Sequence, residues 1–252
     1  MKRFFAFYSA LIIYFFTIYA GTNETLNFEV QYKWGLIQKV AGDVEISKHP
    51  KNDGYELKLI ASTRPWADRI YKVRDTLMTQ TKKEKYKPIR YKSVTHEKDK
   101  HQIDEINYSY SGNNVVGHAK RHKVSKNGEI SEKEVDLEAE GAVYDMMSVY
   151  FFLRDINYEK MKPEDSVKAT IFSGDKSEQL TVRCLGKETI KLKDKTEAET
   201  WHVQFKFTTK GGKKSSDDIN CWITTDPDHI PLLIVGSLPI GQIRVNLVKR
   251  SA

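Results

Sequence analysis

Short runs in which apolar and polar residues alternate recur along the chain, and they constrain its fold more than any other feature. The run Leu26–Trp34 alternates over the length of a full strand, and similar runs follow at Lys39–Ser47 and Tyr55–Ala61. Alternation with a period of two places the apolar side chains on one face of a strand. Asn52-Asp53-Gly54 separates the last two runs, and such Asx-Gly pairs favour hairpin turns. The sequence therefore predicts an antiparallel meander at the start of the folded region.

The same pattern continues through the rest of the chain. Further candidate strands are Val73–Gln80, Pro88–Thr95, Ile103–Tyr110, Val115–Val124, Val167–Phe172, Gln179–Leu185, Thr200–Thr208, Ile219–Thr224, Ile230–Val235 and Ile240–Val248. Pro65–Lys72 is less regular and is a candidate short helix. Since no repeat or Pro/Gly/Ser-rich linker interrupts the pattern, we expect one β-rich domain over residues 21–252.

One segment has helical rather than alternating spacing. Val143–Arg154 is almost entirely apolar, with Asp145 near its start and Arg154 near its end, which suits the helix dipole. The residues that we expect it to bury are Met146, Val149, Tyr150 and Leu153. The predicted fold is therefore mainly β, a large curved antiparallel sheet or open half-barrel, with one buried helix at about residues 143–155.

The first residues predict export from the cytoplasm. Met1-Lys2-Arg3 is positively charged, Phe4–Ala20 is uncharged and apolar, and Ala20 offers a small residue for cleavage before Gly21. We expect residues 1–20 to be a signal peptide and the mature protein to be periplasmic or secreted. The alternative is an uncleaved membrane anchor, because the apolar run is close to the minimum length of about 17 residues for a spanning helix.

The charge pattern bears on the partners of an exported protein. The net charge is +7, but basic residues alternate with acidic ones, as in His96-Glu97-Lys98-Asp99-Lys100. This mixture is typical of a solvated surface and does not predict a nucleic-acid partner. An exported chain instead meets lipid headgroups, acidic glycans and other envelope proteins.

Residues that could carry chemistry do not form a recognisable site. His118 and His122 lie on a predicted strand, where they would be roughly 13 Å apart, too far to chelate one metal ion. Cys184 and Cys221 could form a disulfide after export, and their pairing stays open. No Gly-x-Ser-x-Gly motif occurs, and adjacent carboxylates such as Asp217-Asp218 do not predict an acid/base pair. We therefore expect no cofactor, no metal and no enzymatic activity.

The helix and the last third of the chain resemble a known family. Asp145, Ser148, Tyr150 and Arg154 resemble the D-x-x-S-x-x-Y-x-x-R helix of the exported bacterial proteins grouped as domain of unknown function 3108, with Tyr150 displaced by one position. Trp222, Asp226, Pro231 and Gly241 are similar to the closing pattern of that family. The resemblance implies an exported β-rich protein with no assigned activity, in which these eight residues are structural.

Three functions are compatible with these expectations. The chain is abundant in aromatic residues (11%), which could line a concave apolar site or simply fill a β-sheet core. The closing strands also look like those of open half-barrels that carry lipids or lipoproteins, although fold alone does not fix function. We expect a binding module for a lipid or other hydrophobic ligand. The alternatives are a structural or assembly protein of the envelope and, third, an envelope hydrolase.

Overall fold

The alternating runs form the strands of one continuous sheet. The structure, a computed structural model, describes residues 22–209, 216–238 and 240–251. Its strands are β1 Glu24–Trp34, β2 Ile37–Lys51, β3 Gly54–Thr63, β4 Val73–Lys82, β5 Pro88–Glu97, β6 Lys100–Ser111, β7 Asn114–Val124, β8 Ile130–Glu140, β9 Val143–Asp145, β10 Ser166–Ser173, β11 Lys176–Lys191, β12 Glu197–Thr209, β13 Ile219–Thr224, β14 Pro231–Ser237 and β15 Gln242–Ser251. Two α-helices interrupt them, α1 Pro65–Asp68 and α2 Ser148–Asp155. The predicted short helix after Pro65 is confirmed.

The strands pair in the order β8-β7-β6-β5-β4-β3-β2-β1-β15-β14-β13-β12-β11-β10-β9. The β1–β15 pair joins the two ends of the sequence, with Thr25 opposite Ser251 and Lys33 opposite Gln242. All neighbours are antiparallel except β9 and β10. The sheet curls into a nearly closed barrel, which confirms the predicted mainly β fold with a large curved sheet.

Antiparallel pairing gives the barrel two distinct ends. We call the end at which β1 begins at Glu24 and β15 finishes at Ser251 the terminal end. The opposite end carries the β1–β2 and β14–β15 turns, and we call it the hairpin end. Helix α2 follows β9 into the interior, and its last turn lies at the terminal end, where Arg154 contacts Glu24.

The predicted helix is shorter than its apolar pattern suggested. Val143–Asp145 forms strand β9 beside β10 instead of the first helical turn, and α2 begins at Ser148. Val149, Tyr150 and Leu153 are buried as predicted, but Met146 is 36% exposed. Met147 is fully buried in its place. The prediction for Met146 was wrong because the chain leaves β9 through a turn, which shifts the face that points inward.

Helix α2 divides the interior into two apolar clusters. Val149, Phe152 and Leu153 pack against β10–β13, in a cluster that includes Ile171, Leu180, Val182, Val203 and Ile223. Met147, Tyr150 and Phe151 pack against the first half of the sheet, in a cluster that includes Leu26, Phe28, Ile46, Leu57 and Ile106. Each fully buried large apolar side chain contributes about 1.5–3 kcal/mol of transfer free energy. The helix therefore connects the two halves of the sheet, because one of its faces packs in each cluster.

Side chains close the seam between the two sheet edges. Phe172 of β10 stacks on Tyr108 of β6, with 5.8 Å between the ring centroids, and it also packs on Gly117 of β7. A Cβ at Gly117 would lie 2.6 Å from the Phe172 ring, so this contact requires glycine. Strand β10, which lies next to the short edge strand β9, thus packs on the inner face of β6 and β7.

Ion pairs continue the seam toward the hairpin end. Arg121 of β7 binds Asp104 of β6, with Nε 2.6 Å from Oδ1, and also binds Asp175 in the β10–β11 turn. Lys133 of β8 contributes a second cation, 2.8 Å from Asp175. Burial opposes the charge of Asp175, but Lys133 and Arg121 hold the pKa of this carboxyl below its ordinary value.

The two cysteines are free and fully buried. Cys184 lies opposite Val203, which in turn lies opposite Cys221, so β12 separates the two cysteine strands. Two strand spacings are roughly 9–10 Å, beyond the Cα separation of about 7 Å that a disulfide can span. The two residues do not pair in this fold.

The predicted signal peptide, Met1–Ala20, lies outside the described residues. Within the described part of the chain, no helix has the length and apolar character needed to cross a membrane.

Candidate functional site

The inner face of the sheet changes from sealed to open along the barrel axis. Near the terminal end, Leu26, Phe28 and Leu57 are at most 2% exposed because α2 covers them. Farther toward the hairpin end, several inward apolar side chains of β15, β2, β3 and β4 are only partly buried. These residues, whose surface we call the open cup, are Val44, Leu59, Leu77, Val245 and Leu247.

The strand register explains why the open cup is continuous. Buried Phe28 lies opposite Val44 on one side and Leu247 on the other, so all three point inward. Leu59 likewise lies opposite Leu77 and opposite buried Ile46. Side chains of directly opposed residues are neighbours on one face of a sheet. The open cup is therefore one apolar wall formed by strands β15, β2, β3 and β4, with Phe28 of β1 between β15 and β2.

The adjoining wall of the same interior, on β5 to β7, is polar. From Leu77 the cross-strand row continues through Ser93, Asp104 and Arg121. Gln102 Nε2 donates a hydrogen bond to Asp104 Oδ2 over 2.8 Å. Asp75 lies one row closer to the hairpin end than Leu77, and burial raises the pKa of its carboxyl. An apolar wall beside a polar one suits a molecule that has both an apolar and a polar part.

Asp145 fixes the start of the helix that forms the floor of the interior. Its Oδ1 accepts hydrogen bonds from the backbone N–H groups of Met147 and Ser148 over 2.8 and 2.7 Å, and from Thr79 Oγ1 over 2.9 Å. Ser148 Oγ in turn accepts a bond from the N–H of Asp145. Complete burial raises the pKa of Asp145 to about 6, even though these bonds act in the opposite direction. The carboxyl satisfies backbone groups that the short helix leaves unpaired.

Arg154 closes the terminal end of the barrel. Its guanidinium contacts both carboxylate oxygens of Glu24, at 2.7 and 3.2 Å, and its Nε donates to the carbonyl oxygen of Asp228. Arg250 adds contacts to Glu24 at 3.1 Å and to Asp228 at 2.6 Å. Burial favours the neutral form of Glu24, but Arg154 and Lys48 hold its pKa below the ordinary value. The cluster ties α2 to both terminal strands.

The structure brings five of the eight family-motif residues together and leaves the others elsewhere. Asp145, Ser148, Tyr150 and Arg154 lie at or in α2. Asp226 lies in the β13–β14 turn, where its Oδ1 accepts the N–H of Asp228 and so positions the carbonyl that Arg154 binds.

The remaining three motif residues lie away from the helix. Trp222 packs on the outer face, stacked on His202 at 4.6 Å, with its Nε1 donating to Glu188. Pro231 is buried at the start of β14. Gly241 has a φ of +86°, and a Cβ there would lie 2.4 Å from the carbonyl oxygen of Lys33, so this turn requires glycine.

The histidines that invited a metal site lie on the outer surface. His118 and His122 project from β7 toward the edge strand, where Asp136 and Glu132 contact them at 2.7 and 3.2 Å. Among the residues that the structure describes, no three or more His, Cys, Asp or Glu side chains are grouped so as to hold a metal ion.

Sequence reasoning did not single out the residues of the open cup. Its strands were predicted, and alternation correctly assigned these residues to the apolar face. Whether an apolar residue is sealed or open depends on how far α2 reaches along the interior, and no local pattern encodes that distance.

Comparisons with known proteins give a family and a fold. The family model described as "Protein of unknown function (DUF3108)" matches residues 27–248. None of the curated proteins matches the chain. Among solved structures, the chain is similar to the crystal structure of a β-barrel-like protein of domain of unknown function DUF1849 from Brucella abortus. The two share 12% identity over 91% of this chain and 97% of the other, with a TM-score of 0.61. At this identity the similarity shows the fold alone.

Proposed function

This chain belongs to the DUF3108 family of proteins of unknown function, and we propose that it is a non-catalytic module that binds a lipid acyl chain or a similar hydrophobic ligand in the open cup. The observation that carries the proposal is the apolar wall of Val44, Leu59, Leu77, Val245 and Leu247, which α2 leaves partly uncovered inside the barrel. Ligand sites are typically concave and apolar with a few placed polar groups. Each ligand methylene buried there would contribute about 0.8 kcal/mol.

The polar wall supports a ligand that also carries a polar group. Ser93, Gln102 and Asp104 place polar groups on the inner face beside Leu77. A fatty acid or another single-chain amphiphile has this combination of parts.

The proposed setting is the cell envelope. The positively charged start and the apolar segment Phe4–Ala20 support export of the chain. Lipids and acylated proteins are abundant there, so a hydrophobic ligand would be at hand.

Paired substitutions on β3 test the proposal. Leu59→Lys places a charge on the apolar wall, whereas Ile60→Lys places the same charge on the outer face, where Ile60 is already 38% exposed. We expect Leu59→Lys to weaken binding of a fluorescent fatty acid at least about tenfold, because a charge in an apolar site is costly unless paired. Ile60→Lys should bind like the unmodified protein.

A second pair blocks the cup without charge. Ala61 lies inward beside Val44, and Ser62 is its outward neighbour on the same strand. Ala61→Trp should abolish binding of the fatty acid by filling the cup, whereas Ser62→Trp should not. Equal binding by all four variants, at unchanged melting temperatures, would contradict the proposal.

A further inference from the structure

Two neighbouring hairpins expose a cluster of large apolar side chains at the hairpin end. Trp34, Leu36 and Ile37 form the tip of the β1–β2 hairpin, with exposed fractions of 56%, 106% and 56%. Leu238 and Ile240 form the tip of the β14–β15 hairpin, with exposed fractions of 41% and 65%. We call these five residues the tip patch.

The two tips lie side by side and are held in place. Lys33 and Gln242 face each other across the β1–β15 pair, directly below the turns. The hydroxyl of Tyr32 donates a hydrogen bond of 2.8 Å to the carbonyl oxygen of Ile240. The tip patch is therefore one protruding surface shared by two braced turns.

The charged residues of the two hairpins themselves are all positive, whereas Asp217 and Asp218 lie at the neighbouring start of β13. Between Glu29 and Asp43 the only charged residues are Lys33 and Lys39, and after Asp228 the chain has basic residues, including Arg244, but no acidic one. Within the described residues, none of these three cations forms an ion pair. Lys39 instead lies over the ring of Trp66, 4.5 Å from its centroid. The patch thus combines a tryptophan, aliphatic side chains and free positive charge.

We propose that the tip patch docks the protein onto an anionic lipid surface. Tryptophan and aliphatic side chains partition into the boundary between headgroups and acyl chains, and lysine and arginine bind anionic headgroups beside them. A protein partner would also cover apolar residues, but two separate hairpins that carry only positive charges match the negative charge of an anionic membrane.

The tip patch and the start of β1 lie at opposite ends of the barrel. The chain enters β1 at the terminal end, so the tip patch lies at the far end of the barrel from Glu24. The open cup faces the same end as the patch, but docking requires only the turns. The inference therefore stands independently of whether the interior binds a ligand.

Co-sedimentation with vesicles tests the inference. The mature protein, as recovered from its native host, is mixed with vesicles of phosphatidylglycerol and phosphatidylcholine or of phosphatidylcholine alone. The test variant is Leu36→Asp with Ile240→Asp. Its matched control is Ile89→Asp with Val248→Asp, which changes two exposed aliphatic residues, 41% and 52% exposed, near the terminal end.

We expect the unmodified protein to bind the anionic vesicles, and to bind them less as salt screens the charges. The tip variant should lose at least about tenfold in vesicle affinity, and the control variant should lose far less. Absence of vesicle binding, or equal losses in both variants, would overturn the inference. A dimer that the tip variant dissociates, without vesicle binding, would assign the patch to a second copy of the chain and would overturn it too.

Discussion

Asp145 is the residue whose environment departs most from that of an ordinary carboxylate. One of its oxygens accepts three hydrogen bonds, while Oδ2 is buried without a partner among the described residues. This asymmetry suits a protonated acid, or an amide with its oxygen in the place of Oδ1. The preference for the neutral form agrees with the pKa of about 6 that burial imposes.

The raised pKa predicts a specific dependence of stability on pH. The carboxyl binds its proton more tightly in the folded state, where its pKa is about 6, than in the unfolded state, where it has the ordinary value of 3.8. Protonation therefore stabilises the fold. This contribution to the free energy of unfolding is complete below about pH 3.8 and is lost as the pH rises to about 6. Asp145→Asn keeps the oxygen acceptor but does not titrate. We expect the variant to gain stability relative to the unmodified protein between about pH 4 and pH 6, by at most roughly 3 kcal/mol.

Urea unfolding of both proteins across that pH range measures the difference. Groups common to both, such as Glu24 and Asp175, cancel when the two free energies of unfolding are subtracted. If the free energies of unfolding of the two proteins change in parallel with pH, Asp145 is ionised at little cost in the folded state.

Among the elements, α2 holds the two halves of the sheet together, because its side chains pack in both apolar clusters. Tyr150 packs edge-on against Phe28 of β1, with 6.4 Å between the ring centroids, and against Phe151 at 5.2 Å. Its hydroxyl has no hydrogen-bond partner within the described structure. The ring, rather than the hydroxyl, should therefore carry the stabilising contribution of this residue.

Two substitutions separate the ring from the hydroxyl. Tyr150→Ala should lower the free energy of unfolding by about 3–5 kcal/mol, because it leaves a large cavity beside Phe28. Tyr150→Phe should change it by less than about 0.5 kcal/mol, or raise it slightly, because no hydrogen bond is lost. Thermal or urea unfolding measures both, and equal losses in the two variants would refute this description of the helix.

The elements also show what the sequence could and could not predict. The β2–β3 hairpin was predicted because alternation and Asn52-Asp53-Gly54 agree locally. Strand β8 was missed because its outward residues are mostly charged, and its pairing depends on cross-strand contacts such as that of its Glu134 with Lys120 of β7. A charged edge strand resists pairing with other chains, but it lacks the composition of a typical strand.

The same limit applies to the candidate site. The motif residues of α2 were recognisable from their order, yet their contacts join positions as distant as Arg154 and Glu24. The open cup depends on which strands face each other after the sheet has curled. Such non-local contacts leave no trace in a window of neighbouring residues.

At the scale of the whole molecule, the seam decides whether the sheet is a barrel or an open half-barrel. Asp175 is the anion that Arg121 of β7 and Lys133 of β8 share across the seam. Its side chain is 12% exposed, so solvent screens these pairs only in part. The seam ion pairs should therefore stabilise the closed form.

Removing this charge should loosen the seam. We expect Asp175→Asn to destabilise the fold by about 1–3 kcal/mol, less than for a fully buried pair. It should also speed hydrogen exchange in β8 and β10. The control is Glu134→Gln, which removes an exposed pair with Lys120 and should leave the free energy of unfolding nearly unchanged, because solvent screens that pair. Unchanged exchange in both β8 and β10 would mean that apolar contacts such as Phe172 on Gly117 close the barrel alone.

Native mass spectrometry of the protein, purified gently from its own host, tests whether the open cup holds a hydrophobic ligand. If the open cup binds a hydrophobic ligand, the spectrum should show the protein with one bound lipid or acylated molecule, which organic extraction then releases for identification. The Ala61→Trp protein, prepared in the same way, should carry none. A spectrum in which the unmodified protein is uniformly empty, or in which Ala61→Trp retains the same molecule, would contradict the account.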